Sequence, residues 1–160
     1  MIFRELTRKK KALGAEECLE VLRTEKRGVL SVIGDGGYPY GMPMNHYYCD
    51  EDGAVYFHSG KGKGHRNDAL GACRKASFCV YDAGEREDGD WVLTVRSVIV
   101  FGRIETVEDP ARVAEITAAL SRKFTEDEAY IRAEIGQYLN ATVLLRLVPE
   151  QITGKRVKES

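Results

Sequence analysis

The sequence is poor in the residues that build metal and disulfide frameworks. Its 160 residues include four cysteines and three histidines. Cys18, Cys49, Cys73 and Cys79 form no Cys-x-x-Cys pair, and His46, His58 and His65 form no His-Glu-x-x-His run. Neither a structural zinc site nor a zinc hydrolase is expected, and the cysteines read as reduced thiols. No apolar run approaches the roughly 18 residues that a membrane helix needs. The opening Met1–Lys11 segment has charges but no apolar stretch behind them, so the expected compartment is the cytoplasm. Charge of one sign is lacking too. Twenty-four Lys and Arg face 25 Asp and Glu, a net charge of -1, which argues against bulk attraction to nucleic acid. There is no Gly-x-Ser-x-Gly elbow and no cysteine–histidine pattern that suggests an activated thiolate. The carboxylates cluster in turns and helix first turns, where solvation and capping account for them.

What remains is a chain of one-domain size, expected to form a single unit over residues 1–160, with no repeat or linker to divide it. Ala15, Cys18, Leu19 and Leu22 make one apolar helix face, which Gly28 is expected to end. Val29–Ile33 is strand-like, Asp35-Gly36-Gly37 is a hairpin turn, and Tyr38–Cys49 returns as one long strand. Asp50–Gly53 is the next turn and Ala54–Ser59 the next strand. A basic loop, Lys61–Gly64, leads into a short helix over His65–Arg74, then the strand Ser77–Tyr81 and an acidic loop, Gly84–Asp90. Trp91–Thr106 reads as a long strand bent near Gly102. Asp109-Pro110 opens a helix with Val113, Ile116, Leu120 and Phe124 as its buried stripe. Thr125–Glu128 forms a capping box for another helix, with Ile131, Ile135 and Leu139 inside. Ala141–Val148 is the last strand. Six or so strands joined mainly by hairpins, with peripheral helices, predict an α+β antiparallel barrel or sandwich.

Three segments carry candidate chemistry. The first runs from Tyr56 to Arg66 and passes from a strand through three loop glycines into a helix. Glycines let backbone N–H groups turn toward an anion, and a helix N-terminus adds partial positive charge. Ser59, Lys61, Lys63 and Arg66 are then candidate phosphate ligands, although the loop is no Walker motif and equally fits a solvated hairpin end. The second is Tyr38–Tyr48. Pro39 and Pro43 predict an edge strand or a bulge, with backbone groups left for a flat heteroaromatic ring. Pro43, Asn45 and Tyr47 share one face, while Met42, Met44, His46 and Tyr48 share the core face. His46 reads as structural, and His58 faces either core or ligand. The third is Arg96–Arg103, where Gly102 marks a bulge or close approach, or the segment is an edge with a subunit contact.

In order along the chain, these segments resemble the pyridoxamine 5′-phosphate oxidase-like family of FMN-binding split barrels, within it the nitroimidazole-resistance-type branch. Four stretches carry the resemblance: the basic arm and helix through Gly28-Val29-Leu30; Tyr38–Asn45; Val55–Ser59 with Gly64–Leu70; and Arg96–Arg103. Ile152–Lys155 also looks familial. The resemblance implies a six-stranded antiparallel split β-barrel that dimerises, with FMN at the subunit interface. Ser59, Lys63, His65 and Arg66 would hold the phosphate. Met42, Pro43, Met44 and Asn45 would lie along the isoalloxazine ring, and His58 near the ring or ribityl chain. Ser97 and Val98 match the strand that completes the pocket with the partner subunit. His65-Arg66 stands where the family usually has Arg-Lys. The arginine-rich C-terminal segment of true pyridoxamine phosphate oxidases is not seen, which argues against that vitamin as substrate.

The function so implied is a flavin-dependent reductase of small electron-poor compounds of the nitroaromatic type, drawing electrons from NAD(P)H or another donor. A deazaflavin or haem in the same fold is the alternative cofactor, and a non-catalytic flavin-binding module the alternative role. Neither nucleic acid nor membrane is an expected partner.

Overall fold

A computed structural model describes residues 3–159. Four helices and one antiparallel sheet follow the order α1 (Ala15–Thr24), β1 (Arg27–Ile33), β2 (Pro39–Asn45), β3 (Tyr47–Cys49), β4 (Ala54–Gly60), α2 (His65–Ala72), β5 (Lys75–Tyr81), β6 (Thr94–Val107), α3 (Pro110–Arg122), α4 (Glu128–Tyr138) and β7 (Thr142–Lys158). The spatial order is β2-β1-β5-β6-β7-β4-β3. Strands β2 and β3 are separated in sequence by His46 alone, yet they sit at opposite ends of the sheet. The sheet must therefore curl until its two ends meet at that residue, and the result is a split barrel. The long strand expected over Tyr38–Cys49 is a continuous extended segment that crosses this seam, which is why seven strands are counted rather than six.

Period-two alternation decides what the barrel encloses. Leu30, Val32, Phe57, Phe78, Val80, Val98, Val100 and Leu147 point inward and are almost fully buried. Helix α1 adds Cys18, Val21 and Leu22 to this core. Gly28 does not end α1, which stops at Thr24. It lies in β1, where an added Cβ would come 2.4 Å from the Phe78 ring. Gly102 is a true close approach: a Cβ there would lie 2.1 Å from the Val148 carbonyl oxygen, and the β6–β7 register shifts at that point. The shift leaves Glu150 as an extra residue, and β7 continues past Pro149 to Lys158 rather than ending at Val148. β6 starts at Thr94, three residues later than expected.

The helices on the far side also follow local chemistry. The Asp109 carboxylate accepts from the Arg112 N–H at 2.9 Å, with Pro110 at the first helical position, and Val113, Ile116 and Leu120 are buried. Phe124 departs from that stripe. It lies beyond α3, partly exposed under the cations of Lys26 and Arg27. The cap of α4 is Asp127, not Thr125, because the Asp127 carboxylate accepts from the N–H groups of Ala129 and Tyr130. Arg112 places its guanidinium 5.5 Å from the centre of the Tyr56 ring, and Tyr56 donates to Asp52 at 2.6 Å. That cluster fixes α3 against β4.

His46 closes the seam from inside. Its Nε2 lies 2.9 Å from the Leu22 carbonyl oxygen, and its ring meets Phe78 edge-on at 4.8 Å. Its pKa is pushed down to about 3, chiefly by burial and then by the charge of Lys123. The ring is therefore neutral, and Nε2–H is the donor. The folded pKa lies below the unfolded value near 6.5, so the unfolded chain holds one more proton between those values. Stability is complete above about pH 6.5 and falls by on the order of 1.4 kcal/mol per unit as pH drops toward 3. Replacing His46 by Gln is expected to flatten this slope in urea titrations between pH 7 and 4. Equal slopes in the two proteins would contradict the assignment.

Candidate functional site

The two most promising sequence segments meet where β2 and β4 converge near the seam. Pro43, Met44, Asn45, His58, Ser59 and Arg66 line one depression of about 400 Å³. A second, of about 490 Å³, adjoins it through Met44, Gly60 and Arg66. It takes in Met42, Lys63 and His65. Nine of the eleven candidate residues therefore line two adjoining depressions. Ser97 and Val98 line neither.

The basic loop ends in an uncapped helix. Among the described residues no side chain bonds the N-terminus of α2, so its first N–H groups are open to an anion. Arg66 donates to the Ser59 hydroxyl, which donates in turn to the Gly60 carbonyl at 3.1 Å. Gly62 has φ +133°, a conformation that suits glycine, and its carbonyl accepts from the Asn67 amide. Asn67 had no role assigned from the sequence; its place one residue after Arg66 was the available signal. Lys63 is exposed at the loop tip. His65 is committed elsewhere, because its ring stacks on Tyr40 at 4.1 Å and its Nε2 lies 3.6 Å from Asp35. Ser59, Arg66, Lys63 and the α2 backbone N–H groups thus stand together as a cradle that could hold an anion, and the His65 side chain stands at its edge.

The edge-strand expectation for β2 holds, since β2 is the terminal strand of the sheet. Met42, His46 and Tyr48 are buried and Met44 half-buried, as the core-face assignment requires. Asn45 accepts from Arg27 at 3.1 Å. His58 is exposed toward the depression rather than the core. Its pKa is lowered by the desolvation its neighbours impose and then by the charge of Arg66. The imidazole is therefore held neutral beside a cationic cradle.

Residues 14–156 match the pyridoxamine 5′-phosphate oxidase family. The chain belongs to this family. Solved structures agree on the split-barrel fold. A conserved hypothetical protein from Mycobacterium tuberculosis is 21% identical, with 94% of this chain and 90% of that one covered and a TM-score of 0.77. A putative 5-nitroimidazole antibiotic resistance protein from Bacteroides thetaiotaomicron is 17% identical over 92% and 87%, at 0.74. A FAD-binding protein from Mesorhizobium loti is 25% identical over 92% and 97%, at 0.62. No curated protein matches the chain.

In this member of the pyridoxamine 5′-phosphate oxidase family, Ser97 and Val98 stand apart from the two depressions and on opposite faces of the sheet. Val98 is fully buried in the barrel. Ser97 lies on the outer face of the sheet, paired with Tyr81 and Lys155. That face also presents Val29, Ile33, Ile99 and Phe101, which with Tyr81 keep 36–62% of their surface exposed. Pro43 pairs with Val29 on the same face and also lines the depression. The outer face and the depression therefore share an edge.

Among the described residues, no group of three or more His, Cys, Asp or Glu side chains is placed to hold a metal ion. No helix among them is long and apolar enough to cross a membrane.

Proposed function

We propose that the protein is an FMN-dependent oxidoreductase that reduces small electron-poor compounds of the nitroaromatic type. The observation that carries this reading is the convergence of Ser59, Arg66, Lys63 and the uncapped α2 N-terminus on one cradle beside the free edge of β2. An aromatic ring attached to a phosphate by a short chain fits such a pairing. The resemblance to the nitroimidazole-resistance branch supports the choice of substrate. So do the descriptions of the Bacteroides neighbour as a putative nitroimidazole resistance protein and of the Mesorhizobium neighbour as FAD-binding. Bound flavin would supply hydride and single-electron transfer.

The chain's own residues bind and orient. Arg66 and Lys63 neutralise the phosphate, Ser59 contributes its hydroxyl, and the α2 N–H groups add partial positive charge. Met44 and Pro43 give an apolar seat for a ring. His58 presents an uncharged nitrogen pair that can donate and accept one hydrogen bond each without adding charge. A haem would need an axial ligand. His46 is spent on Leu22 and His65 on Tyr40, which leaves His58 alone.

The reading includes a cytoplasmic homodimer in which the outer sheet face meets its copy. Because Pro43 joins that face to the depression, the partner would wall the open side of the site. An anaerobic assay tests the catalytic part. Bound FMN is expected to bleach with NAD(P)H and to recover its colour on addition of a nitroaromatic compound. Flavin that bleaches with dithionite but is not reoxidised by the nitro compound would overturn the substrate assignment.

A further inference from the structure

A third cavity lies on the other side of His58. It has a volume of about 420 Å³ and lies between α3, α4 and the adjoining ends of β4 and β7. His58 and Gly60 line both this chamber and the flavin-side depression, so the two spaces adjoin. The walls are mostly apolar: Val113 and Leu120 from α3, Ile131 and Ile135 from α4, with the rings of Tyr130 and Tyr138. The space opens to solvent past Tyr130 and Tyr138, both about half exposed, and 420 Å³ lies within the range of small-molecule sites. Ile135 sits at a position whose helical spacing places it in a core, yet it faces this space half-buried.

The polar groups that line the chamber are hydroxyls of Thr117, Ser121, Thr142, Tyr130 and Tyr138, with the His58 ring and one carboxylate. The Thr117 hydroxyl oxygen is buried without a hydrogen-bond partner among the described residues. A helical threonine ordinarily bonds a carbonyl one turn back, and this one does not. The oxygen is occluded as it stands, so a ligand in the chamber reaches it once the side chain turns about χ1, and then makes the bond the protein leaves unmade. No Lys or Arg lines the chamber, and Glu134 is its one carboxylate. A carboxylate or phosphate ligand would find no cation there and would meet the like charge of Glu134.

We propose that this chamber is a binding site for an uncharged single-ring aromatic molecule bearing one hydrogen-bonding group, held by Thr117 and the α3–α4 walls. The inference deepens the proposed function, since it gives the substrate a seat beside the flavin site and excludes anionic substrates. It also stands on geometry that does not require flavin.

Fluorine NMR titration tests it with para-fluorobenzyl alcohol and para-fluorobenzoate, which share a ring and differ in charge. The alcohol is expected to bind at least about tenfold more tightly than the benzoate. Ile135→Trp, which fills the chamber, is expected to weaken the alcohol about tenfold while FMN retention is unchanged. Thr117→Val, which keeps the shape, is expected to weaken the alcohol about threefold and leave para-fluorotoluene unaffected. Equal affinity for the benzoate, no effect of Ile135→Trp, or no alcohol binding by a protein that retains FMN would overturn the chamber. Alcohol binding by a protein that fails to retain FMN would leave the chamber standing and remove the flavin reading instead.

Discussion

Replacing Lys63 and Arg66 together by alanine is expected to weaken FMN binding by about 1,000-fold, as read by quenching of flavin fluorescence on titration. A charge-assisted hydrogen bond contributes roughly 1.5–3 kcal/mol, and two such contacts to one phosphate account for about three decades. Arg66 alone should account for the larger part. It is half-buried, already aimed at Ser59, and sits in the first turn of α2. Lys63 is exposed, and its charge is more strongly screened. Ser59→Ala should cost about tenfold, the value of one neutral hydrogen bond. An affinity in the double variant within about threefold of wild type would show that this cradle does not hold the phosphate.

The second large effect is expected at the outer sheet face. Ile99 lies in the middle of it, flanked across the sheet by Cys79 and Thr153 and along β6 by Phe101. In a two-fold dimer each substitution is present twice. Ile99→Asp would place two carboxylates in a largely apolar contact, so association should weaken by on the order of 1,000-fold. Sedimentation at micromolar concentration should then give the mass of one chain for the variant and of two for wild type. FMN retention should fall with it, because the depression adjoins this face through Pro43. Identical sedimentation of the two proteins would contradict both the interface and its link to the site.

Much of the fold was legible because local rules and tertiary context agree. Asp109-Pro110 caps α3 as its residue types demand, and Pro39 and Pro43 mark an edge strand because proline cannot donate to a ladder. Gly102 was legible as a close approach, since a glycine inside a strand has few other reasons to be there. The misses are equally physical. An extended chain through His46 looks the same whether or not its halves pair with different neighbours, so the seam was invisible. Pro149 and Glu150 disguised the continuation of β7 because a bulge breaks the alternation by which strands are read. Asp127 took the cap from Thr125 because both residue types can cap, and only the helix start decides between them.

The candidate site divides along the same line. The grouping of Ser59, Lys63 and Arg66 was legible because these residues lie within one short run from Ser59 to Arg66. The chamber was not, because Thr117 and Ile135 come from two helices that reach His58 only through tertiary packing. An apolar helix position has the same residue type whether it faces a core or a cavity.

The most direct test of the account is an absorbance spectrum of the purified protein, taken after adding FMN and removing the excess by gel filtration. The expected result is a yellow protein with flavin bands near one FMN per chain, and loss of those bands in the Lys63→Ala/Arg66→Ala variant. A colourless wild-type protein that remains folded would contradict it.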